Sequence, residues 1–183
     1  MLIRNTTAGY GVVSRLFHWL MALAIFGTFG LGLWMVDLDY YSPYYHSAPY
    51  VHKAIGILLL IALAARFVWR VANVKPSDAH FTPFERVSSH IAHAGFYVLI
   101  FALIVSGYLI STADGRAVDV FGWFSVPSPG ENKGLEDPAG VVHTYLAYVV
   151  IAFAVVHAVA ALKHHFVDRD STLTRMWSGP PKT

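Results

Sequence analysis

Four stretches of about twenty apolar residues, at 16–36, 51–71, 91–112 and 141–162, decide what this chain can fold into. At ~1.5 Å per residue, a helix of that length crosses a hydrocarbon core of ~30 Å. Lipid offers the backbone no hydrogen-bond partner, so each run is predicted to be a helix that satisfies its own amides. The composition agrees: 56% of the 183 residues are hydrophobic and only 13% are charged, against roughly a quarter charged in soluble domains. The expected fold class is all-α, an integral membrane four-helix bundle, forming one domain over residues 1–183.

Charge sets the expected orientation. Arg4, Arg15, Arg66, Arg70, Lys75, Arg86, Lys163, Arg169, Arg175 and Lys182 fall on one side, and Lys53, Arg116 and Lys133 on the other. That asymmetry predicts both termini in the cytoplasm, and it argues for membrane orientation rather than nucleic-acid binding. The first run is followed by Asp37-Leu-Asp39 instead of a small-residue cleavage site, so it reads as a retained helix. The outer loops carry most of the acids: Asp37, Asp39, Asp114, Asp119, Glu131, Glu136 and Asp137. Residues 113–140 form the longest connection, which Pro127, Pro129, Gly130, Gly134 and Pro138 should break into turns. Cysteine is absent, which excludes disulfides, thiolate metal sites and covalent haem attachment through Cys-x-x-Cys-His.

Ionisable side chains inside an apolar span are costly and point to function. Histidine is the least costly of them because it can remain neutral, the form that binds metal. His143 and His157 lie fourteen residues apart on the last run. Helical geometry puts them within about 40° on one face and about 21 Å apart along the axis, near opposite membrane surfaces. Each needs a partner at its own depth. On the outer side His52 is preferred over His46, because a helix fixes an imidazole better than a loop; Gly56, one turn on, leaves room for a flat macrocycle. On the inner side His18, His90 and His93 all qualify, and spacing alone does not choose among them. Two bis-histidine haems are the leading expectation, since filled axial positions suit electron transfer. Zinc or copper would more usually recruit cysteine or carboxylate. Arg66 and Arg70, one turn apart, could pair with haem propionates or anchor the helix at the interface.

The same residues carry a family resemblance. Ser-Arg-Leu-Phe-His-Trp-Leu at residues 14–20, Val-His-Lys-Ala-Ile-Gly at 51–56 and Arg-Phe-Val-Trp-Arg at 66–70 belong to it. So do His-Ile-Ala-His at 90–93, His143, His157 and the run from His164 to Met176. Together they resemble the bacterial cytochrome b561 family of small di-haem membrane proteins, which includes superoxide oxidases. The resemblance implies that His18 and His157 ligate the inner haem b and His52 and His143 the outer one, leaving His90 and His93 as non-ligands. It also implies a multi-pass protein of the bacterial inner membrane. Superoxide would give electrons at the outer face, and ubiquinone would be reduced at the inner one. His164, seven residues beyond His157 and about 20° off the same face, is then the candidate to meet the quinone. Lys53, beside His52, is the candidate to attract superoxide, together with Arg116 and Lys133 if folding gathers them into a positive patch.

Two other readings differ in class. A cytochrome b subunit, joining a partner dehydrogenase or hydrogenase to the quinone pool, would show a similar ligand pattern. A histidine-lined transporter or structural membrane protein would bind no haem.

Overall fold

The computed structural model describes residues 2–179. Four helices are long and apolar enough to cross a membrane: α1 (Val12–Met35), α2 (Ser47–Val71), α3 (Pro83–Thr112) and α4 (Glu136–Phe166). Their apolar cores lie where the hydropathy runs predict them, but the ends differ. α3 starts eight residues before 91, because Thr82 and Glu85 form a reciprocal capping box and Pro83 occupies the first turn. That pairing satisfies two amides otherwise left free, so the helix begins in polar sequence before the apolar run does. α4 likewise begins at Glu136 and Asp137, acids suited to a helix N-terminus, and ends in Lys163, His164 and His165, suited to its C-terminus.

The bundle packs α1 on α2, α2 on α3 and α3 along α4. α4 makes no comparable packing with α1 or α2. At the centre, Met21, Leu59, Leu63, Ile100, Ile104 and Val150 form one buried cluster drawn from all four helices. Large apolar side chains such as Leu23, Val98 and Val156 face outward. In water that would be a fault, but against acyl chains it is the expected polarity.

The long connection between α3 and α4, on the side the basic residues predict to be outer, contains a feature the turn residues did not announce. Strands β1 (Val118–Val120) and β2 (Phe124–Val126) pair antiparallel, with Val118 opposite Val126. Phe121, Gly122 and Trp123 close the hairpin: Phe121 and Gly122 take left-handed φ of 53° and 72°, and Trp123 N donates to Val120 O at 2.9 Å. Val118 and Val120 pack against Ala54 and Ile57 of α2, while the Tyr50 hydroxyl donates to Asp119 Oδ1 at 2.7 Å. The hairpin therefore lies over the outer end of α2. Three-residue strands carry too little periodicity to be read in advance.

At the opposite end, the chain's two ends and the α2–α3 loop interlock. Ser77 N donates to Thr7 O at 2.8 Å, and Arg175 Nη1 donates to Ser77 O at 2.9 Å. Trp19 Nε1 donates to Met176 O at 3.1 Å. Arg175 belongs to a short helix, α5 (Thr172–Trp177), that hydropathy did not reveal. Both described ends of the chain thus lie on one face of the bundle, as an even number of spans requires; Lys182 lies outside the described residues.

If the hairpin is held by its buried valines, Val120→Ala should cost roughly 1–3 kcal/mol of stability in detergent. Val142→Ala on the outward face of α4 should change it by less than about 0.5 kcal/mol. Denaturant unfolding curves compare the two, and equal losses would show that the hairpin merely rests on α2.

Candidate functional site

The four spanning helices bring histidines inward: His18 on α1, His52 on α2, His93 on α3, and both His143 and His157 on α4. On the outer level, His52 of α2 faces His143 of α4, with ring centres 6.2 Å apart and planes at 73°. Backbone glycines make room for both rings. A Cβ at Gly107 of α3 would stand 2.8 Å from His143 Cε1, and one at Gly32 of α1 would stand 3.2 Å from His52 Cε1. His143 Nδ1 donates to the Leu103 carbonyl at 2.9 Å, and the Ser106 hydroxyl, 3.2 Å from the same nitrogen, also donates to that carbonyl. With its proton committed at Nδ1, neutral His143 keeps a free lone pair on Nε2, the arrangement of a metal-binding imidazole. His52 Nδ1 is buried with no hydrogen-bond partner.

On the inner level, His157 stands between two histidines. His18 of α1 lies 6.2 Å away, centre to centre, and His93 of α3 lies 5.9 Å away. Phe96 packs edge-on against the His157 ring at 5.4 Å. Arg66 Nη2 lies 3.4 Å from His18 Nδ1, and Arg70 sits over the Tyr97 ring at 5.9 Å. The Tyr97 hydroxyl is buried without a partner. Two arginines and an unpaired phenol thus gather at the inner end of α2, a setting that suits an anionic group. His90 is turned away to the surface, where it meets Lys75 and Asp78. His46 caps α2 and packs on Tyr45.

These distances test the fit of a bis-histidine haem. A histidine nitrogen binds a metal at about 2.0–2.1 Å, and the ring centre lies about 1.1 Å beyond the nitrogen, so two axial imidazoles put their centres about 6.2–6.4 Å apart. Both pairs, His52–His143 and His18–His157, stand at 6.2 Å. Each also joins α4 to a helix whose backbone approaches it less closely than that of α3 does, which leaves width for a macrocycle. His93 and His157 instead belong to α3 and α4, which pack closely. Gly56 faces open space, with nothing within 4 Å of where a Cβ would stand. The residues fit the group.

Beyond the inner pair, His164 Nδ1 lies 2.7 Å from Asp170 Oδ2 and 3.1 Å from Asp168 Oδ2. Its ring stacks on Phe81 at 4.9 Å. Neither carboxylate, nor Phe81 or His80 of the α2–α3 loop, was singled out in the sequence as a functional residue; the signal for both acids was their place in the run from His164 to Met176, within six residues of His164. Glu85, His164 and Asp168 bring ligand atoms within 4.8 Å of one another. A cation is already there: Lys163 Nζ lies 2.8 Å from Glu85 Oε1 and 2.7 Å from Asp168 Oδ2.

At the outer surface two of the three basic residues are paired with acids close in sequence. Arg116 pairs with Asp114 and Lys133 with Glu131, at 2.5 and 3.0 Å. Lys53 is exposed and makes no ion pair among the described residues. The single open cation is thus the one beside His52.

Comparison with known proteins identifies the family. The sequence profile described as prokaryotic cytochrome b561 matches residues 9–179. The chain is 48% identical to cytochrome b561 homolog 2 of Escherichia coli (strain K12) over 96% of its own length and 95% of that protein's. It is 27% identical to the probable superoxide oxidase CybB of Yersinia pestis, over 87% of this chain and 90% of that one. Cytochrome b561 homolog 1 of Escherichia coli (strain K12) is 24% identical, over 68% and 72%. With four spanning helices and interior histidines at two levels, the chain belongs to the prokaryotic cytochrome b561 family: multi-pass bacterial inner-membrane electron-transfer proteins whose members bind haem b.

Proposed function

We propose that this chain is a di-haem b protein that moves electrons between a donor at the outer face and a quinone at the inner face. The observation that carries the reading is the pair of 6.2 Å histidine facings, each bridging two helices whose backbones are not in close contact. In this reading His52 and His143 hold the outer haem, His18 and His157 the inner one, and Arg66 and Arg70 serve the propionates. Bound there, haem b would supply a one-electron iron couple, which suits electron transfer. The face with the interlocked chain ends is cytoplasmic, following the basic residues.

The protein's own work is to orient and insulate. The Leu103 carbonyl holds the His143 proton on Nδ1, which keeps Nε2 unprotonated and fixes the ring plane. Gly107 and Gly32 let neighbouring backbones approach the outer rings. The apolar cluster around Met21, Ile104 and Val150 excludes water between the two levels.

For the donor we propose superoxide, with ubiquinone as acceptor: two superoxide ions, one ubiquinone and two protons give two dioxygen molecules and one ubiquinol. The name of the Yersinia pestis relative supports this donor, and Lys53 is the open cation that would draw the anion toward His52. A second reading, a cytochrome b subunit fed by a partner protein, is favoured by the ion pairs that neutralise Arg116 and Lys133, because they weaken a positive funnel. Stopped-flow mixing of the haem-loaded protein with superoxide separates the two. Rapid saturable reduction, slowed about tenfold or more by Lys53→Glu at low salt, is the result expected. Slow, unsaturable reduction, with co-purification of a second polypeptide, would favour the subunit reading.

Ligation is tested by haem stoichiometry. His143→Ala should lose the outer haem and His157→Ala the inner one, so that each variant retains one haem per chain. Two haems in both variants would refute the assignment. Gly107→Ala should also lower outer-haem content, since its methyl would stand 2.8 Å from the His143 ring, whereas Gly27→Ala, which faces open space, should not. Pyridine haemochrome spectra read all four proteins.

A further inference from the structure

His164 is held more firmly than a solvated interfacial histidine needs to be. Its Nδ1 meets two carboxylates, at 2.7 Å for Asp170 and 3.1 Å for Asp168. They are not equivalent. Asp168 is already matched by the Lys163 ammonium at 2.7 Å, which Glu85 of α3 shares at 2.8 Å. Asp170 makes no ion pair with a lysine or arginine among the described residues, and its backbone and side chain are built into a fixed turn. Thr172 N donates to Asp170 Oδ1 at 2.7 Å, and Asp170 N donates to His164 O at 3.0 Å. Burial opposes ionisation of the Asp170 carboxyl, yet hydrogen bonds from Thr172 and His164 outweigh it and hold the group below the ordinary aspartate range. Asp170 is therefore a carboxylate at neutral pH.

The remaining groups around this carboxylate come from the other cytoplasmic segments. His80 Nε2, on the α2–α3 loop, lies 3.8 Å from Asp170 Oδ2. Arg175 Nη2, on α5, lies 3.1 Å from the same His80 nitrogen. Arg175 is itself 8% exposed and anchored to the Ser77 carbonyl. Phe81 covers one face of the His164 ring. His164 Nε2, by contrast, makes no hydrogen bond with protein among the described residues. One nitrogen is fixed and the other is free for a ligand, the division of labour of an imidazole that handles protons.

We propose that Asp170 is the positioning residue that holds His164 as the proton donor to the bound quinone at the inner face. This rests on the reading of His164 as the group that meets the quinone. When Nε2 as well as Nδ1 carries a proton, Asp170 is the counter-ion that pairs with the imidazolium. The Nε2 proton passes to a quinone oxygen as that oxygen gains electron density, and the ring returns to its neutral form with Nδ1–H still bonded to Asp170. Water then reloads Nε2. Two such proton transfers, matched to two electrons, complete one quinol. His80 and Arg175 brace the carboxylate and take no part in the transfer.

The test uses the haem-loaded protein, reduced beforehand and mixed with a soluble ubiquinone analogue from mildly acidic to mildly alkaline pH. Asp170→Asn keeps an oxygen to accept from Nδ1 and removes the charge. It should lower kcat for quinone reduction about tenfold or more across that range, while KM for the quinone and haem content stay unchanged. Asp170→Glu should restore most of that rate. A raised KM with kcat unchanged, or no loss at all, with His164→Gln impaired, would overturn the role of Asp170 and leave the quinone reading intact. If His164→Gln reduced the analogue as fast as the unmodified protein, the quinone reading would fail and this inference with it.

Discussion

The rise of one helix between His143 and His157 sets the dimension that the rest of the molecule answers to. Fourteen residues of α4 separate them by about 21 Å, so the two rings stand near opposite surfaces of the hydrocarbon layer. Neither ring can be left there alone, because a polar nitrogen stripped of water needs a partner. The Leu103 carbonyl accepts from His143, and the other helices set further imidazoles opposite both rings: His52 near one surface, His18 and His93 near the other. Helix lengths, the small residues beside the outer rings and the gap between α4 and its neighbours α1 and α2 all follow from that requirement.

The two levels are built differently. The outer one is an aqueous-facing cap, with a β-hairpin on α2, glycines pressed against both rings and one open cation. The inner one is cationic and ends in the His164–Asp170 pair under interlocked chain ends. In the proposed reading the first level meets the electron donor and the second meets the quinone that must be protonated. This polarity fits a protein that takes electrons on one side of the membrane and delivers them on the other.

Much of the architecture could be read from the chain directly. Lipid permits only helices or closed barrels, so four apolar runs without strand periodicity leave a single choice. The ladder of His143, His157 and His164 needed only the pitch of a helix. The hairpin and α5 escaped notice because three or six residues carry no usable period, and the early start of α3 was written in the Thr82–Glu85 capping box rather than in hydropathy. Lys53, Arg116 and Lys133 show the reverse case: composition counts charges, whereas the fold pairs Arg116 and Lys133 with neighbouring acids.

What the sequence by itself determined is the set of distances along each helix, because backbone hydrogen bonding in lipid makes the rise and turn per residue obligatory. What only the tertiary structure decided is every distance between helices. Whether His157 meets His18, His93 or both depends on which side chains fill the space between α1, α3 and α4, and no local periodicity encodes that packing. The same is true of Asp170. It lies six residues from His164, and only the turn after α4, locked by Thr172 and backed by His80 and Arg175, brings its carboxylate to 2.7 Å from the ring.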